Sequence, residues 1–176
     1  TDQSIGFDTA LNTALEAIDR IRDTAASHDR LFIVEVMGRD SGQIALHVGL
    51  AGGAEDIFVP EKAQQLDMAI DKIIKGAQAG KLSSILVTAE GQKPGRAYDL
   101  AEALRKRAGL EAKVCILGHI QRGGSPTAAD RILASRLGAA AVDYLIHGYQ
   151  DVLVGVQHGS IVLVDAVSCL QNSKSI

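Results

Sequence analysis

Val114-Cys115-Ile116-Leu117-Gly118-His119-Ile120-Gln121-Arg122-Gly123-Gly124-Ser125-Pro126 sets a strand, a loop and a helix start end to end. The apolar run delivers the backbone to a loop carrying an imidazole, an amide and a guanidinium, and two glycines then let the chain turn tightly. Serine is a favoured helix N-cap and proline suits the first helical position, so Ser125-Pro126 predicts a helix opening beside those side chains. A helix N-terminus offers free N–H groups and the positive end of a dipole, and a guanidinium adds a forked donor. The expectation for this stretch is an anion site, for a phosphate or a carboxylate.

The same strand-then-helix grammar runs outward along the chain. Residues 8–26 place Ala10, Leu11, Ala14, Leu15, Ile18 and Ile21 at helical spacing. Leu31 to Met37 reads as a strand, Gln43 to Ala51 as a helix, Ile57 to Val59 as a short strand ended by Pro60, and Gln64 to Gln78 as a helix. Ser84 to Thr88 is a strand, Gly91 to Arg96 a surface loop, Asp99 to Arg107 a helix, Lys113 to Leu117 a strand and Thr127 to Ile146 a long helix. Val152 to Val156 and Ile161 to Val164 are short strands able to pair with each other. Alternation with short connections predicts βαβ units, hence an α/β fold with a parallel-sheet sandwich flanked by helices, Rossmann-like in its half. Ligands in such sheets bind beyond the carboxyl ends of the strands, where the loops after Met37, Thr88 and Leu117 all fall.

Composition narrows the choice of function. With 176 residues, 47% hydrophobic and 22% charged, the chain has the make-up of an ordinary globular protein with a sizeable core. Aromatic residues are only 3% and tryptophan is absent, so Ala, Val, Ile and Leu must fill that core, as they do in parallel sheets covered on both faces. A net charge of -3 with no strongly basic face argues against nucleic acid as a partner, because counterion release needs clustered Lys and Arg. The longest apolar stretches are strand-sized or broken by charge, so no membrane span is expected. Cys115 and Cys169 read as reduced, buried thiols of a cytoplasmic protein. His28, His47, His119, His147 and His158 lack paired spacing, so no structural metal is expected, and His47 and His147 read as core-edge or surface residues.

Three strand-end segments supply the chemistry: Met37-Gly38-Arg39, Thr88-Ala89-Glu90, and Gly118 to Arg122. Two arginines and a histidine can neutralise a phosphate, and a glutamate can accept hydrogen bonds from sugar hydroxyls. Together they describe a sugar-phosphate pocket.

These segments resemble 6-phosphofructokinase of the bacterial type along essentially the whole chain. The resemblance rests on Val34-Glu35-Val36-Met37-Gly38-Arg39, on Gly52-Gly53-Ala54-Glu55 with Val59-Pro60-Glu61, and on Leu117 to Pro126 with Asp130-Arg131, in the family's order and at similar spacing. It implies the later half of an ATP-dependent kinase that phosphorylates fructose 6-phosphate at O1. Residues 1–147 would form the fructose 6-phosphate-binding α/β domain, and residues 148–176 a truncated segment joining a nucleotide domain that lies outside the chain. Met37, Gly38 and Glu90 would contact the sugar, His119 and Arg122 its 6-phosphate, and Arg39 the transferring phosphoryl group as the catalytic charge. Arg30 and Lys113 would cross a subunit boundary to a neighbour's substrate, so the family's tetramer is implied; Lys113 stands where the family usually has arginine, which loses the bidentate fork. Arg22, Glu55 and Lys81 fall where ADP or phosphoenolpyruvate act as effectors, although Ala79 and Leu82 replace residues often basic there. Mg²⁺ and ATP would be bound mainly by the missing half, as would the catalytic aspartate, so the chain alone is expected to be inactive. Three alternatives stand beside this reading: a non-catalytic sugar-phosphate sensor, a pyrophosphate-dependent phosphofructokinase, and a dinucleotide oxidoreductase, the last disfavoured because no Gly-x-Gly-x-x-Gly opens the first βα unit.

Overall fold

The structure, a computed structural model, describes residues 1–25, 30–62 and 65–167. It separates into two compact units, one of Ala10–Arg122 and the other of Thr1–Thr9 with Gly123–Ile176. His28 and Cys169 lie outside the described residues.

The larger unit is built on four parallel strands, β1 (Arg30–Val36), β2 (Asp56–Phe58), β3 (Ser83–Ala89) and β4 (Ala112–Ile116), in the order β2-β3-β1-β4. Parallel neighbours need crossovers, and three helices supply them: α2 (Gln43–Ala51), α3 (Leu66–Gln78) and α4 (Arg96–Ala108). A fourth, α1 (Phe7–Ala25), precedes β1. Because strand side chains alternate, the sheet builds two cores. Val34, Val36, Ile85 and Val87 face Ala14 and Ile18 of α1 and Ala45 and Val48 of α2. Leu31, Ile33 and Leu86 face Ile70 and Ile73 of α3 and Leu100 and Leu104 of α4. The expected sandwich of helices over a parallel sheet is therefore present.

Several boundaries differ from the sequence expectation, each for a physical reason. Helix α4 opens at Arg96, three residues before the expected Asp99, because Glu35 reaches up from β1 and its carboxylate accepts from Gly95 N and Ala97 N, both at 2.8 Å. A buried anion thereby caps a helix N-terminus, which suits the dipole. The helix expected to open at Ser125-Pro126 opens later: α5 spans Ala128–Ile146 and its cap is Thr127, whose hydroxyl accepts from Asp130 N. Gly123 and Gly124 both take positive φ and Ser125 and Pro126 stay exposed, so they form a turn ahead of the helix. Gly118–Gln121 is a short 3₁₀ turn where an open loop was expected. Strand β2 sits at Asp56–Phe58, one residue ahead of the expected place. Cys115 is half-buried on the edge strand β4, and burial pushes its thiol up; full burial was the expectation. His47 and His147 are exposed, each with Nδ1 against the carbonyl four residues earlier.

The smaller unit contains α5 and an antiparallel hairpin of β5 (Val152–Gln157) and β6 (Ser160–Asp165), the pairing expected from the sequence. Its organising group is Asp130, 3% exposed. The carboxylate accepts from Gly6 N at 2.9 Å, from Thr9 N at 2.8 Å and from the Thr9 hydroxyl. Burial pushes this carboxyl up, but the hydrogen bonds from Thr9, Gly6 and Thr127 outweigh it and hold the group below its usual range.

A lowered carboxylate pKa has a definite sign in the linkage between folding and pH. The stabilisation by Asp130 is fully present above the unfolded value, about 3.9, and is lost as pH falls through the lowered folded value. D130N, which turns an acceptor into a donor facing two amides, should lose about 1–3 kcal/mol at pH 7. Urea unfolding of both proteins should show that gap narrowing below about pH 4. A gap that widens in acid contradicts the assignment.

Candidate functional site

The site is built where the β-ladders run out. β1 pairs as far as Val36 with Ala89 on one side and Glu35 with Ile116 on the other. Glu90 N donates to Val36 O at 2.9 Å and Leu117 N to Glu35 O at 3.0 Å, which ends the pairing. The next three amides of the β1 strand therefore have no strand partner, and such groups must find one when water is excluded. Side chains provide it. Met37 N donates to Gln121 Oε1 at 2.8 Å, and Gly38 N and Arg39 N both donate to Glu90 Oε1, at 3.3 and 3.4 Å.

Beyond Met37 the backbone makes a tight turn closed by Ser41 N donating to Gly38 O at 2.9 Å. Gly38 has φ +154 and a Cβ there would lie 2.3 Å from Ser41 O, so no larger residue fits. Arg39 follows at φ 48, in the left-handed region that non-glycine residues rarely occupy. Strain of this kind gathers at ligand sites, and Arg39 is exposed here. Two more carboxylates hold the turn: Glu61 Oε1 accepts from Gly42 N at 2.7 Å, and Asp40 accepts from the Gln92 amide on the loop after β3.

Met37, Gly38, Arg39 and Glu90 thus meet at the carboxyl ends of β1 and β3, and the 3₁₀ turn carrying His119, followed by Arg122, is tied to them through Gln121. The side chains of Arg39, His119 and Arg122 are exposed and make no hydrogen bond or ion pair among the described residues. Glu90 is buried, with Oε1 occupied and Oε2 without a partner among the described residues. The strand-end segments thus present three exposed donors, unpaired among the described residues, on backbone that Gln121 and Glu90 tie together, a set of groups suited chemically to an anion carried on a polyol.

Arg30 and Lys113 are not part of this rim. Arg30 opens β1, and at roughly 3.3 Å per residue that places it about 20 Å from the Val36 end. Lys113 lies near the start of β4, opposite Phe32 and exposed. The three residues expected at an effector site form a separate cluster toward the amino ends of β2 and β3. Lys81 pairs with Glu55, whose other oxygen accepts from Ile85 N, and Arg22 donates to the carbonyls of Gly52 and Gly53. No group of three or more His, Cys, Asp and Glu side chains among the described residues is placed to hold a metal ion. No helix among them is long and apolar enough to cross a membrane.

Sequence reasoning did not anticipate what Gln121 and Glu35 do. The signal for Glu35 is visible in hindsight, a lone carboxylate inside the apolar run Leu31–Val36. For Gln121 nothing in the sequence distinguishes a ligand group from an anchor.

With the geometry described, the similarity to known proteins is informative. Residues 1–145 match the phosphofructokinase family model. The chain is 59% identical to the ATP-dependent 6-phosphofructokinase of Brevibacillus brevis, over 94% of the chain and 51% of that protein. It is 58% identical to ATP-dependent 6-phosphofructokinase 1 of Thermus thermophilus over 100% of the chain and 55% of that protein. The chain therefore spans about half the length of the curated relatives it matches. Among solved structures, phosphofructokinase from Saccharomyces cerevisiae superposes with a TM-score of 0.89 at 37% identity, covering 97% of this chain and 24% of that one. A pyrophosphate-dependent phosphofructokinase from Nitrosospira multiformis shares the fold, with a TM-score of 0.72 at 23% identity over 94% of this chain and 46% of its own.

The turn at Gly38 is the most exacting piece of local geometry at the site. G38A should lower stability by about 1–3 kcal/mol through steric conflict with Ser41 O and a disfavoured φ. An unchanged melting temperature for G38A contradicts the turn described above.

Proposed function

The chain belongs to the phosphofructokinase family, and on that footing we propose that it supplies the fructose 6-phosphate site of an ATP-dependent 6-phosphofructokinase. The observation that supports the proposal is that Arg39, His119 and Arg122, exposed and unpaired among the described residues, stand on strand-end segments that Gln121 and Glu90 tie together. His119 and Arg122 bind the 6-phosphate, Arg122 through its fork. Glu90 Oε2 accepts from sugar hydroxyls, and the Met37-Gly38 backbone forms the floor beneath the sugar. Arg39 directs planar positive charge at the phosphoryl group in flight, where the transition state spreads its charge over the equatorial oxygens.

The rest of the reaction calls on groups outside this site. ATP and Mg²⁺ would be bound mainly by the half of such a protein that this chain does not cover. Close relatives named as ATP-dependent favour ATP over pyrophosphate as donor. Arg30 and Lys113, remote from their own rim, would serve a neighbouring subunit's substrate in a tetramer. Arg22, Glu55 and Lys81 would take ADP or phosphoenolpyruvate as effectors. The setting of such a glycolytic transferase is the cytoplasm, and residues 1–147 would be its sugar-phosphate domain, with 148–176 leading to the nucleotide domain.

Calorimetric titration of the chain tests the proposal. It should bind fructose 6-phosphate more tightly than fructose, and R122A should weaken the phosphorylated ligand at least about tenfold, some 1.4 kcal/mol. Fructose should bind the variant and the wild type alike. Equal affinity for the two sugars in the wild-type chain overturns the proposal.

A further inference from the structure

Gln121 is 3% exposed and its side chain joins two segments far apart in sequence, with Oε1 accepting from Met37 N at 2.8 Å. Its Nε2 is equally buried and has no hydrogen-bond partner among the described residues. A buried amide with one end unsatisfied is a poor choice for stability, because the stranded donor carries its full desolvation cost. An apolar side chain of similar length would remove that stranded donor but leave Met37 N without its acceptor. What glutamine adds is the acceptor, and the acceptor has one use here: it fixes the Met37 amide.

We infer that Gln121 is a positioning residue, setting the register between the His119–Arg122 segment and the Met37–Arg39 backbone so that both grip one ligand. The 3₁₀ turn it ends is only Gly118–Gln121, held by its own bonds from Ile120 N to Leu117 O at 3.3 Å and from Arg122 N to His119 O at 3.0 Å. Those bonds shape the turn but do not locate it against β1. Leu117 N to Glu35 O at 3.0 Å is the last backbone tie between the two segments, and it lies on the sheet side of the turn. Beyond it, the Gln121–Met37 bond is the connection that locates His119 and Arg122 on either side of Gln121. A displacement of about 1 Å in such a clamp is enough to cost substantial binding or rate.

This inference rests on the sugar-phosphate reading of the site, and the test separates the two. Q121M keeps length and volume but removes the acceptor. Titrated with fructose 6-phosphate, it should bind at least tenfold more weakly than the wild-type chain, while its melting temperature stays within a few degrees because removing the stranded Nε2 donor offsets leaving Met37 N unpaired. Amide exchange should become faster at Met37 in Q121M and remain slow in the neighbouring strands. Q121E restores an oxygen at the same reach and should protect Met37 again, while its added negative charge beside the phosphate keeps the affinity for fructose 6-phosphate low. Failure of the wild-type chain to bind fructose 6-phosphate overturns the reading of the site and this inference with it. Wild-type binding with equal affinity in Q121M overturns the inference alone. So does a Q121M protein in which the Met37 amide exchanges as slowly as in the wild-type chain.

Discussion

Three successive backbone amides, at Met37, Gly38 and Arg39, leave the sheet with no strand to receive them, and two buried side chains from other loops accept all three. A parallel sheet always ends in such orphan donors, and most proteins give them to water or to a helix turn. Here the acceptors are Gln121 and Glu90, so satisfying the backbone also assembles the rim. The turn at Gly38, the left-handed backbone of Arg39 and the placing of the 3₁₀ turn all lie at that exchange.

Charge is divided accordingly. Carboxylates near the sheet's carboxyl edge are turned inward and used on amides: Glu35 at the start of α4, Glu90 on Gly38 and Arg39, and Glu61 on Gly42. Guanidinium and imidazole groups at the same edge stay exposed and unpaired among the described residues. Paired surface charges contribute little and are readily screened, whereas unpaired cations beside polarised amides keep their full capacity for an anion. At the opposite edge the pattern reverses, with Lys81 and Arg22 already engaged by Glu55 and by backbone carbonyls. A ligand arriving there must compete with existing bonds.

Much of this was legible from the sequence because hydrophobic periodicity is a strong signal. The parallel strands, the α2 helix and the terminal hairpin follow from apolar runs of the right length punctuated by Gly, Pro and Ser. The residues of the rim were legible as chemistry because strand ends in such folds face ligands. Helix starts were less legible. Arg96 begins α4 because Glu35 lies beneath it, a partner distant in sequence that local propensity cannot see, whereas Thr127 caps α5 through a local bond from Asp130 N that competes with the equally local Ser125-Pro126 signal. The role of Gln121 was hidden for the same reason, as its contact is to a residue in a different strand-end loop.

The account stands on the rim around Glu90 being a single receiving site. Amide and side-chain NMR shifts of the isotopically labelled chain, followed while fructose 6-phosphate is added, examine that directly. The account predicts saturable changes concentrated at Met37 to Ser41, at Glu90 and at Gly118 to Arg122, all with one dissociation constant. Changes confined to Arg22, Glu55 and Lys81, or the strand-end segments responding with unrelated constants, would contradict it.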